Sequence, residues 1–213
     1  MKKFELTSET KINIFGKKLF RIKALISFGI VKTGETGGWV EKEENVNQSG
    51  NAWVFDNAEV FGNAWVFGNA RVFGNARVFD NAEVFGNAWV FGNARVFGNA
   101  WVFDNAEAFG NAEVFDNAEV SGNAWVFGNA RVFGNAWVFD NADYATIHGF
   151  GTQFRTTTFF RCKDKQVKVS CGCFYGTIPE FREQVKNTRK GKIAEEYLMI
   201  ADLMEKHFAE EAK

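Results

Sequence analysis

The sequence contains one proline, two histidines, three cysteines and no surplus of either charge. Each shortage excludes something. Cys162, Cys171 and Cys173 are a small, odd set, which argues against a disulfide-stapled secreted fold and for a reducing compartment. His148 and His207 cannot furnish a three-histidine zinc site. The net charge is -1, from 25 basic against 26 acidic residues, so a polybasic nucleic-acid or membrane-surface binder is not expected. No stretch approaches the ~20 apolar residues of a membrane helix, and Met1–Glu5 is charged with no long apolar run after it. The reading is a cytoplasmic protein with no membrane association.

What the chain has in excess is phenylalanine, 25 residues, with 7 tryptophans. Most of them belong to a repeat. From Asn51 the sequence reads Asn-Ala-x-Val-Phe-(Gly/Asp), and Asn-Ala recurs every six residues through Asn141, giving sixteen hexads. The last has decayed to Asn-Ala-Asp-Tyr-Ala-Thr; of the others, one carries Ala108 for Val and one Ser121 for Phe. Ala-x-Val-Phe has the length of a short strand. Alternation puts Ala and Val on one face and x and Phe on the other. Because x is Trp, Arg, Glu or Asp, that second face must point outward. Gly or Asp followed by Asn is a turn pair whose members tolerate positive φ.

Three such sides close an 18-residue coil. Counted in eighteens, Trp53, Trp89 and Trp125 share one face, separated by Arg71 and Glu107. Trp65, Trp101 and Trp137 share a second, separated by Glu83 and Glu119. The third carries Glu59, Arg77, Arg95, Glu113 and Arg131. Tryptophans and corner aspartates never stack on their own kind, and only Arg77 and Arg95 break the trend against like neighbours. Fourteen Phe side chains fall outward in three corner columns, where they either pack on one another or form an interaction face. Trp rings beside Arg71 are placed for cation–π contact.

Val-Phe-Gly-Asn-Ala-Arg, as at Val72–Arg77, resembles the hexapeptide motif of left-handed parallel β-helices, the superfamily of acyltransferases and γ-class carbonic anhydrases. The resemblance implies a left-handed triangular coil. Phe20–Leu25, Gly37–Glu43, the repeats, Thr157–Phe160 and Cys171–Thr177 together resemble a family of phage- and prophage-encoded repeat proteins, whose members often carry Tyr where this chain has the repeat Phe. That likeness implies a mobile-element origin in a bacterial host and no particular reaction.

The expected fold is mainly β: a parallel, left-handed triangular β-helix of about five coils over residues 51–146. Residues 1–50 read as an N-terminal β cap, with Leu19–Leu25 a half-buried strand and Gly37-Gly38 a turn signal. Residues 147–213 read as a small α+β cap. A hairpin pairs Thr156–Cys162 with Val167–Cys173, bringing Cys162 opposite Cys171. Thr177-Ile-Pro-Glu180 is a capping box that starts a helix running to about Asn187. A second helix over roughly 193–208 carries Ile193, Tyr197, Ile200, Leu203, Met204 and His207 on one stripe.

No catalytic residues, metal site or cofactor are expected. The three cysteines read as small buried residues rather than zinc ligands. The glycines belong to corners and build no phosphate loop, and interleaved Glu weakens any single-strand stacking at the arginines. By the superfamily resemblance His148 is the one candidate base for acyl transfer, but the repeats lack the loop insertions that make a substrate pocket. The reading is therefore a non-enzymatic scaffold. It holds a protein partner, or associates with itself, through aromatic faces formed by Trp53, Trp65, Arg71, Arg77, Trp89, Arg95, Trp101, Trp125, Arg131 and Trp137. With the mobile-element resemblance, the partner class is a host defence effector such as a CRISPR nuclease. A self-assembling structural solenoid and a hexapeptide-type acyltransferase are the alternatives.

Overall fold

A computed structural model describes residues 1–209. The chain is a parallel β-solenoid with 18-residue coils, closed by a β cap at one end and an α+β unit at the other. Each of the first fifteen hexads contributes a two-residue strand, x-Val, from Trp53–Val54 to Trp137–Val138. This is shorter than the four-residue strand expected, because Phe and Ala belong to the corners. There the N–H of Ala58 donates to the carbonyl of Phe55, and the same turn recurs at nearly every later corner. The strands form three parallel sheets in the predicted columns. Trp89 pairs in register with Arg71 and Glu107, Trp101 with Glu83 and Glu119, and Arg95 with Arg77 and Glu113.

Every Val of the hexad strands, and Ala108 in its place, is fully buried, and so is nearly every Ala of the Asn-Ala pairs. The interior is a narrow aliphatic rod, in which each Val contributes about 1.5–2 kcal/mol. The Phe columns stay outside it and pack on themselves. Phe73–Phe91–Phe109 and Phe79–Phe97–Phe115 stack at 4.7–4.9 Å with planes within 5°.

Turn chemistry divides between the two corner residues differently from the expectation. Positive φ belongs to the Gly/Asp position alone, for example Gly62 at 69° and Asp80 at 60°. A side chain there meets the coil below: a Cβ on Gly86 would lie 2.8 Å from the backbone nitrogen of Asp104. Asn instead forms amide ladders. Asn51 donates to Asn69, Asn69 to Asn87, Asn87 to Asn105 and Asn105 to Asn123, and the other two corners carry the same device. Corner aspartates 56, 80 and 104 each accept from the backbone N–H of the glycine one coil on.

Winding begins earlier than Asn51. Thr36–Val40 pairs in parallel with Glu59–Val60, Trp39 opposite Glu59, so the solenoid has about six turns rather than five. Trp39 precedes Glu59 by 20 residues, which hides it from a count in sixes. Gly37 and Gly38 lie inside this strand and are not a turn. A Cβ at Gly37 would fall 2.6 Å from the Trp53 ring, and one at Gly38 2.6 Å from Val54. Phe4–Ile12 and Lys18–Ala24 extend the same sheet antiparallel.

A stack of this kind has polarity. The N–H groups of the x, Phe and Asn positions donate to carbonyls one coil further on, as Trp89 N does to Ala106 O at 3.0 Å. Open carbonyls therefore predominate at the first coil and open N–H groups at the last. The caps match this chemistry. At the start Lys3, Arg21 and Asn45 donate to the carbonyls of Ala52, Asp56, and Gly62 and Ala64. At the end the acceptors Asn141, Thr158 and Asp143 take the N–H groups of Trp125, Arg131 and Phe139. Both ends of the coil stack are thereby capped.

Lys3 is 2% exposed, and its Nζ lies 2.9 Å from Ala52 O. Burial pushes its pKa down to about 8. In the unfolded chain the amine keeps its proton to about pH 10.4. Between these values the unfolded state binds more protons, so this group makes the fold more stable as pH rises through the window. The gain is about 3 kcal/mol at most. The Cys162 thiol, pushed up to about 11 by burial, acts in the opposite sense and cancels in a comparison of variants. Urea titrations of wild type and Lys3→Met are expected to diverge by up to that amount from pH 8 to 10.5, wild type gaining. A pH-independent difference would show that Lys3 titrates like an exposed lysine.

The C-terminal unit is a four-stranded antiparallel sheet, Tyr144–Phe150, Arg155–Arg161, Val167–Cys171 and Phe174–Thr177, backed by helices α1 (Ile178–Thr188) and α2 (Gly191–Phe208). The capping box forms as predicted: Thr177 Oγ1 accepts from Glu180 N, and Thr177 N donates to the Glu180 carboxylate. Tyr197, Ile200, Ala201, Met204 and Phe208 are the buried residues of α2, while Leu203 and His207 face solvent. The expected stripe thus ran too far round the helix, because Ala201 and Phe208 occupy the inner line. Cys171 pairs with Thr157, not Cys162. Cys162 sits at the turn end of the hairpin, under the last coil beside Ala136, so the two thiols do not meet.

Candidate functional site

The ten side chains proposed as a binding surface separate into four groups. Trp53 takes no part in a binding surface, because it is fully buried. Its x position does point away from the solenoid axis, but Phe4 and Phe28 cover the ring edge-on at 5.7 and 5.3 Å. It anchors the N-terminal cap instead.

Arg77, Arg95 and Arg131 form the second group, on the face without a repeat tryptophan. Arg77 reaches back one coil to Glu59 at 3.4 Å, where Lys11 also binds at 2.7 Å. Arg95 reaches forward to Glu113 at 3.0 Å, and Arg131 meets the same carboxylate at 3.1 Å. The stacked pair Arg77–Arg95 is relieved because the two guanidinium groups turn in opposite directions. Arg95 and Arg131 also lie over the Phe column, at 5.3 Å from Phe97 and 5.2 Å from Phe115. This face satisfies its own charges, and the cap buries its upper end through Leu19, Trp39, Phe61 and Phe79.

Arg71, Trp89 and Trp125 lie on the first face. The Arg71 guanidinium stands over Trp89 at 5.3 Å, and no carboxylate pairs with it among the described residues. Trp89 is edge-on to Phe73 at 6.1 Å. With Phe55, Asp56 and Ile30 these residues line a hollow of about 240 Å³. Ile30, 61% exposed, was not singled out from the sequence. It comes from the loop after Lys18–Ala24, and no local pattern marks it.

Trp65, Trp101 and Trp137 make the fourth group, in line on the second face with Glu83 and Glu119 between them. All three are open to solvent.

His148 is exposed on the strand Tyr144–Phe150. Its Nδ1 lies 3.3 Å from Thr156 Oγ1. It borders a shallow polar groove with Arg131, Arg155 and Ser170. Among the described residues no carboxylate orients its ring and no three His, Cys, Asp or Glu side chains converge to hold a metal. Nor is any helix among them long and apolar enough to cross a membrane. No protein-family model matches the chain, and no curated protein sequence matches it.

Proposed function

We propose that the protein is a non-catalytic scaffold that holds a protein partner on the face bearing Arg71 and Trp89. The observation that carries this reading is the apolar hollow of Ile30, Phe55, Phe73 and Trp89, rimmed by Arg71 and Asp56. Partly exposed Trp and Arg flanking a pocket are the composition of binding hot spots. Apart from Ile30 its lining comes from the stacked coils, so little conformational freedom is lost when it fills. The resemblance to mobile-element proteins supplies the class of partner, a host defence effector such as a CRISPR nuclease.

The test is capture from bacterial lysate by immobilised wild type, Trp89→Ala and Arg71→Ala. A partner retained by wild type is expected to be lost on either substitution, each costing about 2 kcal/mol of binding or more. Capture that is indifferent to both would end this reading. The self-assembling alternative draws on Phe127 and Phe139, 46% and 52% exposed near the C-terminal cap. Sedimentation over a range of concentrations decides it, since a strict monomer has no such role.

A further inference from the structure

We propose that the face carrying Trp65, Trp101 and Trp137 is a platform for a neutral β-1,4-linked polysaccharide chain. The column is in strict register: Trp65 beside Glu83, Glu83 beside Trp101, Trp101 beside Glu119 and Glu119 beside Trp137. Neighbouring coils lie about 4.8 Å apart, so successive tryptophans repeat at about 9.6 Å along a straight line. In an extended β-1,4-linked pyranose chain each sugar is turned over relative to the one before. The same face of the ring therefore recurs at every second sugar, and each sugar advances the chain by about one coil thickness. Three tryptophans can then meet three alternate sugars of one chain.

The chemistry of the column fits that occupant. Pyranose rings present C–H-rich faces that pack on aromatic rings, and Trp65, Trp101 and Trp137 are 38%, 41% and 45% exposed on an open sheet. Between them Glu83 and Glu119 stand where the intervening sugars would lie, as acceptors for hydroxyl groups. Glu119 is fixed by Lys163 at 2.6 Å, and Glu83 makes no ion pair among the described residues. Two carboxylates in the row disfavour anionic polymers such as nucleic acid. They also disfavour a second copy of this face, because two-fold mating about Trp101 would set Glu83 against Glu119.

The other faces carry less of the pattern. On the first, Trp53 is buried and Arg71 stands over Trp89, which leaves two exposed tryptophans, Trp89 and Trp125, with Glu107 between them; on the third the tryptophan, Trp39, is buried. Within the column Trp101 is central and stands at 74° to Phe85, out of the Phe stack, whereas Trp65 leans onto Phe67 at 4.1 Å. Binding should depend most on Trp101.

This inference uses a different face from the protein-binding hollow and stands or falls separately from it. Calorimetry with cellohexaose and chitohexaose as soluble probes, and maltohexaose as the α-linked control, tests it. Binding of either β-linked probe is expected, with none of maltohexaose, and the preferred probe tells a glucan from an N-acetylglucosamine chain. Trp101→Ala should weaken binding about tenfold or more, Trp101→Phe less, and Trp89→Ala not at all. Thermal melts of the variants confirm that each is folded. The proposal is overturned if neither β-linked probe binds, if maltohexaose binds as well, or if Trp89→Ala weakens binding as much as Trp101→Ala.

Discussion

Val96→Asp is expected to abolish cooperative folding. Val96 is completely buried, between Val78 and Val114 of adjoining coils. The lining of the rod offers a carboxyl nothing to bond with. Its side chains are Ala and Val, and the backbone groups around it are spent on the ladder, as when Arg95 N donates to Ala112 O and Phe97 N to Val114 O. Losing the Val removes about 1.5–2 kcal/mol. A carboxyl buried without a partner costs a further 2–7 kcal/mol or so. The total reaches the whole stability of an ordinary domain, about 5–15 kcal/mol. A solenoid has little means of spreading the damage, since each coil touches only its neighbours. Urea denaturation followed by circular dichroism should show no single cooperative transition, or two transitions for the segments on either side. Glu107→Ala, on the outer surface of an adjacent face, should stay within about 0.5 kcal/mol of wild type. A Val96→Asp protein as stable as that control would mean that the aliphatic rod is not what holds the coils.

Much of the architecture is written in the period. Six residues give a side, three sides a coil, and a count in eighteens gives the three columns that the sheets reproduce. The inward Ala and Val follow from strand alternation, and the helix start from Thr177 and Glu180. The features that escape are those set by neighbours distant in sequence. Trp39 belongs to the first coil, but an extra two residues before Glu59 put it out of phase. Asn looks like a turn former, and its role as a rung of an amide ladder becomes visible only against the residue eighteen positions on. Trp53 obeys the same alternation as Trp89 and is hidden only because Phe4 and Phe28 come back over it. Ile30 reaches the Trp89 hollow from a loop with no periodicity. The opposition of Cys162 and Cys171 failed through register: Arg161 faces Val167, which leaves Cys162 beyond the paired strand.

Removing the hexad Asn105–Gly110 should leave a folded protein, whereas removing only Ala108–Gly110 should not. The six-residue deletion joins Asp104 to Asn111, so the sequence runs on as another Asn-Ala-x-Val-Phe side. Every later residue then moves to the next face with its inward or outward sense unchanged. No corner aspartate comes to lie on another, and Glu119 arrives beneath Arg95, replacing the carboxylate that Glu113 provides there. The C-terminal unit keeps its own coil, since Ala136, Asn141 and Arg131 move with it. The cost is one side of the ladder and one small buried pair, about 2 kcal/mol. The three-residue deletion instead brings a corner opposite a strand in every coil below the cut, which breaks the Asn ladders and the backbone register together. Thermal and urea unfolding should show one cooperative transition for the first variant and none for the second. The hexad deletion also sets Trp125 directly below Trp101, replacing the alternation of Trp and Glu with two adjacent rings. Trp65 and Trp101 keep their spacing while Trp137 moves to another face, so the variant should bind a β-1,4-linked chain more weakly while remaining folded, which separates the alternation of the row from the mere number of tryptophans.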